Sequence, residues 1–171
     1  MEINFKLKII YQLLFVIISS INCHEVPVDD INNQIFALPQ DKHTRISVTG
    51  VLNKNLIIKI RGNKTTGYGW FVDNVDQLLN PSNNTINNTS NNNSNIIIKP
   101  MNLNDNFTTS DYFVDSHERG MTGVGGYYYF KFKPMNEGES KIVFTNKRPW
   151  DTSDQVKVEV DVKIVSSETE L

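Results

Sequence analysis

Val156-Lys157-Val158-Glu159-Val160-Asp161-Val162-Lys163-Ile164 is the stretch that decides the fold class of this chain. Every second residue is β-branched and apolar, and every residue between is charged. A period of two sends all the apolar side chains to one face and all the charges to the other. A helical period of 3.6 would scatter the same residues around a cylinder. The segment therefore predicts a strand with one face on a core and the other in water.

Upstream the same period returns. Ile142 and Phe144 alternate with Lys141, Val143 and Thr145, and Tyr128, Phe130 and Phe132 alternate with Tyr129, Lys131 and Lys133. Leu56, Ile58 and Ile60 alternate with Ile57, Lys59 and Arg61, while Ile46 and Val48 alternate with Arg45, Ser47 and Thr49. Tyr68 and Trp70 share one parity, which predicts a core position for Trp70. β-branched and aromatic residues suit a pleated, half-buried surface, and no stretch beyond residue 23 carries a helical period. Short strands separated by turn signals predict an all-β domain, an antiparallel β-sandwich, over residues 44–165. Residues 24–43, with Pro27, Pro39 and Asn32-Asn33, read as a lead-in segment, and 166–171 as a C-terminal tail.

Residues 1–23 do not belong to that domain. Lys6 and Lys8 precede an apolar run, Ile9 to Ile18, broken only by Gln12 and followed by Ser19 and Ser20. The run is too short to span a bilayer and ends in small residues, so it reads as a secretory signal peptide cleaved near Cys23; an uncleaved anchor is the alternative. The product is expected to be secreted or to reside in the endo-lysosomal lumen, since no retrieval signal of the KDEL kind ends the chain. Cleavage removes Glu2, Lys6 and Lys8, which takes the formal charge from −2 to −3. That mild charge predicts no nucleic-acid and no membrane partner, either of which needs a clustered basic face. Cys23 is the only cysteine, so the mature chain is expected to hold no disulfide, Cys nucleophile or Cys-based zinc site. A monomer without cofactor or metal is the expected state.

Between residues 80 and 95 asparagine crowds out apolar residues, and the tract reads as a disordered loop inserted between strands. It holds N-x-Ser/Thr sequons at Asn83, Asn87, Asn88 and Asn92; two more stand at Asn106 and Asn63. In a secreted protein all six are candidate glycan acceptors, although an Asn-rich tract also makes sequons by chance.

Three further segments fall between predicted strands. Asn63-Lys64-Thr65-Thr66-Gly67-Tyr68 carries at Gly67 a residue free to take positive φ, which permits a tight turn with two short, stiff threonines near its tip, and the next strand is expected to open at Tyr68. Gly123-Val124-Gly125-Gly126 permits close approach of another backbone, and the strand that follows argues against a phosphate cradle. Arg148-Pro149-Trp150 sets an indole beside a guanidinium in a proline-stiffened turn, the usual chemistry of a binding anchor. Each segment alone is equally an ordinary turn. In an immunoglobulin-like sandwich, however, the first and last share one end.

The three together, Asn63 to Trp70, Gly123 to Gly126 and Arg148 to Trp150 in this order, resemble the chagasin-type inhibitors of papain-like cysteine proteases. The resemblance covers roughly Thr44 to Val165. It implies an immunoglobulin-like β-sandwich, no catalysis, and occlusion of a cathepsin-type cleft by three loops acting as a wedge. It implies that Thr65 and Thr66 sit over the catalytic Cys–His pair, that the Gly123–Gly126 backbone lies along the cleft, and that Arg148 and Trp150 brace its far side. The chain departs from the family pattern at Lys64, where proline is usual. A proline there would stiffen the loop by about 0.4–1 kcal/mol and would forbid the sequon at Asn63. A more mobile first loop is therefore expected.

Two rival readings compete with this one. His24, His43 and His117 are the only histidines, no Ser carries a nucleophile elbow, and the pairs Asp151/Asp154 and Glu137/Glu139 lack calcium-loop spacing, which leaves little for a hydrolase or a metal protein. A secreted adhesion or carbohydrate-binding sandwich, stacking ligands on Trp150 and Tyr127 to Tyr129, is the alternative that fold alone does not exclude.

Overall fold

A computed structural model describes residues 32–38, 45–81, 96–118 and 120–167, apart from the side chain of Thr152. The signal-peptide stretch, most of the lead-in and the Asn-rich insert, with Asn83, Asn87, Asn88 and Asn92, lie outside the described residues.

Among the described residues nine strands form two sheets: β1 Asn33–Leu38, β2 Arg45–Val51, β3 Asn55–Gly62, β4 Gly69–Val72, β5 Ile98–Pro100, β6 Tyr112–Val114, β7 Gly126–Pro134, β8 Gly138–Arg148 and β9 Asp151–Val165. One sheet runs β1-β3-β7-β5, with β6 also on β7; the other runs β2-β9-β8-β4. Five of the seven pairings are antiparallel, whereas β1–β3 and β2–β9 are parallel. The predicted sandwich is therefore present, with a parallel strand at one edge of each sheet.

The alternation read from the sequence builds the core. Leu56, Ile58, Ile60, Tyr128, Phe130, Phe132 and Ile98 come from the first sheet; Val48, Trp70, Val72, Ile142, Phe144, Val158, Val160, Val162 and Ile164 come from the second, all buried in one cluster. Phe130 and Phe144 pack across the layers with ring centroids 4.9 Å apart. Burying a side chain of this size contributes about 1.5–3 kcal/mol, so the facing rows fix strand register.

The structure departs from expectation in three places. The lead-in contributes β1, whose Asn33–Leu38 runs parallel to Asn55–Ile60, so the sheet begins before residue 44. Its partner is the next strand but one, and nothing local in its sequence signals that pairing. Second, the outward parity of β3 and β7 is not wholly wet: Ile57 and Tyr129 are buried, the latter with Phe113 edge-on at 5.3 Å and the Lys59 ammonium 5.6 Å from its ring centroid. Third, a short helix, α1 Val75–Leu79, follows β4 and buries Val75 and Leu78. A single turn and a half is too short to show a period.

Asparagine side chains stand in for strand backbone where the sheets are interrupted. Between β5 and β6, Asn102 donates to the Tyr129 carbonyl (2.8 Å) and accepts from the Lys131 N–H (2.9 Å). Beyond β4, Asn74 does the same for Lys141 and Val143 at 2.7 and 2.9 Å. Each pair satisfies a part-buried donor and acceptor of a strand edge, at a net gain of about 0.5–1.5 kcal/mol per bond.

Candidate functional site

The β3–β4 loop is built around a 3-10 turn, Lys64–Thr66, capped by Asn63. Both polar atoms of the Asn63 carboxamide are engaged. Its Oδ1 accepts from the Thr65 N–H (3.0 Å) and the Thr65 hydroxyl (2.7 Å), and its Nδ2 donates to the Gly123 carbonyl at 2.7 Å. The Thr66 hydroxyl donates to the Asn63 carbonyl at 2.7 Å, and the Gly67 N–H to that of Lys64 at 3.2 Å. One side chain thus caps the first loop and ties it to the second.

Gly67 closes the turn at φ 81°, in the left-handed region that a Cβ disfavours by about 1–2 kcal/mol. A Cβ there would also lie 3.3 Å from the Trp150 ring. Glycine is required twice: for the turn, and for the seat of the indole. Tyr68, expected to open the next strand, instead lies before β4, which begins at Gly69. The Arg148 guanidinium stacks 4.5 Å from its ring centroid, a cation–π contact, and its hydroxyl donates to Asp154 at 2.7 Å. That hydrogen bond holds the phenolic proton and pushes its pKa up. Trp70, of the same parity, is buried and donates from Nε1 to the Arg61 carbonyl at 2.9 Å.

The Gly123–Gly126 segment ends a longer loop between β6 and β7. Asp115 N–H donates to the Gly125 carbonyl at 2.9 Å, and Arg61 bridges to the Asp115 carboxylate at 3.0 Å. Its last glycine has an internal cause. A Cβ at Gly126 would sit 2.2 Å from the Phe113 carbonyl oxygen, so the close backbone approach expected of a partner is here made by β6 of the same chain. Met121, 59% exposed, extends this loop beyond the glycines.

Arg148 and Asp151 face each other across the β8–β9 hairpin, which leaves Pro149-Trp150 as a two-residue turn. Proline's fixed φ suits the first of those positions. Trp150 is 75% exposed, the most exposed large apolar side chain among the described residues. Asp151 accepts from the Ser153 hydroxyl (2.6 Å) and N–H (2.9 Å), which lowers its pKa.

The three predicted segments therefore meet at one end of the sandwich, with the first in the middle: it touches the second through Asn63 and Gly123, and the third through Gly67, Tyr68, Arg148 and Trp150. Lys64, standing where the family has proline, makes contacts of its own. Its ammonium folds back over the rings of Tyr112 (4.6 Å) and Tyr128 (5.2 Å), and burial lowers its pKa. Tyr112 in turn donates to the Gly62 carbonyl at 3.2 Å. Sequence reading missed Tyr112 and Asp115 and set Asp154 aside as half of a pair without calcium-loop spacing, because each acts across 50 residues or more.

One end of the β-sandwich thus presents three interlocked loops, small at two tips and aromatic at the third. The profile of the chagasin family of peptidase inhibitors (I42) matches residues 51–164, and this chain belongs to that family. It is an inhibitor of the cysteine-protease-directed class that the three motifs implied, not an enzyme. It is 31% identical over 110 residues to Amoebiasin-1 of Entamoeba histolytica, spanning 64% of this chain and 78% of that one. Among solved structures it is similar to the cysteine protease inhibitor EhICP2 from Entamoeba histolytica, with a TM-score of 0.47 and 18% identity over 78% of this chain and 96% of the other. It is also similar to PbICP-C, solved in complex with falcipain-2, with a TM-score of 0.46 and 20% identity over 77% and 99% of the two chains.

Proposed function

We propose that this chain reversibly inhibits papain-like, cathepsin-type cysteine proteases by entering the substrate cleft with Asn63–Tyr68, Gly123–Gly126 and Arg148–Trp150. The single observation that carries the reading is the mutual bracing of these loops in the free protein, above all the 2.7 Å bond from Asn63 Nδ2 to the Gly123 carbonyl. Loops already held in place lose less entropy on binding, so more of the contact energy appears as affinity. Exposed Thr65 and Thr66 supply a narrow tip, and Trp150 a large apolar anchor at its side. No backbone carbonyl need be offered in attack geometry, so the inhibitor occludes the nucleophile without being cut. The protein acts as a monomer in the secretory route or the endo-lysosomal lumen, a reading supported by the apolar run Ile9 to Ile18.

The test is titration of residues 24–171 into a papain-like protease with a fluorogenic substrate. Inhibition is expected, and Trp150→Ala should weaken it by about 2 kcal/mol, roughly 30-fold, as for an interface hot spot. No inhibition at micromolar concentration refutes the proposal.

A further inference from the structure

Six sequons were legible in the sequence, and the structure separates the two that fall within the described residues. Asn63 has both polar side-chain atoms engaged at the junction of two loops. Asn106 is the opposite case. It is exposed on the turn Asn104–Phe107, which the Phe107 N–H closes onto the Asn104 carbonyl at 2.9 Å. Its backbone N–H is satisfied by Asn104 Oδ1 at 3.0 Å, and no protein group among the described residues bonds its carboxamide.

The surroundings of Asn106 are fixed. The Phe107 carbonyl accepts from the Val72 N–H at 2.9 Å, and the hydroxyl of Thr108, the third sequon residue, donates to the Trp70 carbonyl at 2.6 Å. The turn thus covers the outer edge of β4. Phe107 is the only non-glycine residue with positive φ among the described residues, at 57°, and it is 43% exposed. A large side chain held in a sparsely populated backbone region calls for a reason. A sugar attached at the preceding residue supplies one, because the C–H face of an N-acetylglucosamine ring packs on an aromatic face.

We infer that Asn106 is an N-glycan acceptor of the folded domain, with Phe107 as the apolar platform for the first sugar. Asn106 is next to the Val72 end of β4, and the Asn63–Tyr68 loop precedes its Gly69 end, about 10 Å away at the rise of a strand. A glycan there shields one flank and leaves the three-loop edge open, whereas one on Asn63 would part the first loop from the second.

The inference rests on the secretory reading, and the experiment keeps the two apart. The full chain is expressed in a eukaryotic secretory host, and the medium and cell fractions are mapped by peptide mass before and after enzymatic deglycosylation. Glycan on Asn106 in leader-cleaved protein is expected, with its loss in Asn106→Gln and no change in inhibition. Deglycosylation should lower the Tm of the parent and leave that of Phe107→Ala unmoved; an equal fall in both removes Phe107 from the proposal. Leader-cleaved protein with bare Asn106 overturns the inference alone. A chain kept in the cytosol with its leader intact overturns the secretory reading and the inference with it.

Discussion

Asn63→Asp separates the two tasks of one side chain. The carboxylate keeps the acceptor that receives the Thr65 N–H and hydroxyl, at 3.0 and 2.7 Å in the parent, and aspartate is as good a cap as asparagine. What it loses is the donor to the Gly123 carbonyl, now replaced by an oxygen facing an oxygen at 2.7 Å. An N–H···O bond of this kind is worth about 0.5–1.5 kcal/mol net, and the repulsion adds to it, so the second loop is released at a cost of about 1–2 kcal/mol. The inhibition constant should rise about 5- to 30-fold. Global stability should fall by no more than that same amount of about 1–2 kcal/mol, because the cap and the core survive. Asn63→Ala loses all three bonds and should be worse on both counts. The assay is inhibition of a papain-like protease alongside urea unfolding, with every protein made in a bacterial host so that the sequon is irrelevant. If Asn63→Asp inhibits like the parent while Asn63→Ala is weakened, the cap matters and the bracing of the loops does not.

Gly67→Ala should cost about 1–2 kcal/mol of stability from its left-handed backbone and weaken inhibition about tenfold as the Trp150 ring yields to the new Cβ; chemical unfolding and the inhibition assay read the two effects. Asp154→Ala and Tyr68→Phe should each weaken inhibition, and the double variant no more than either alone, because both break the one bond that steadies Tyr68 under Arg148; full additivity refutes the coupling. The buried Tyr128 hydroxyl has no protein partner among the described residues, and burial pushes its pKa well above 10.0. The unfolded chain therefore ionises first, so its contribution is fully present below pH 10 and falls away as pH rises beyond it. Tyr128→Phe should raise stability at pH 7 by about 1 kcal/mol and blunt the alkaline loss, measured by thermal unfolding across pH 8–11.

The sandwich was legible because each core strand carries its own evidence. Val156 to Ile164 alternates strictly, Tyr128 to Phe132 and Leu56 to Ile60 do so but for Tyr129 and Ile57, and the facing rows they predict are the rows that pack. The loops were legible as turns, since Gly67 and Pro149 encode local backbone needs. Their meeting at one end was supplied by resemblance and then seen in the Asn63–Gly123 and Gly67–Trp150 contacts. The strand β1 was not legible, because parallel pairing to β3 is a property of two distant segments. The same holds for the burial of Ile57 and Tyr129 on a face whose parity reads as wet.

Lys64 and Gly126 show where the division falls. Sequence by itself fixed the period of each strand, the turns between them and the absence of a proline at 64, because these depend on residues within a few positions of one another. It could not say that the Lys64 ammonium would find the rings of Tyr112 and Tyr128, or that Gly126 is demanded by a carbonyl of the same chain. Those outcomes depend on which distant segments the packed core brings within a few ångströms, and only the tertiary structure decides that.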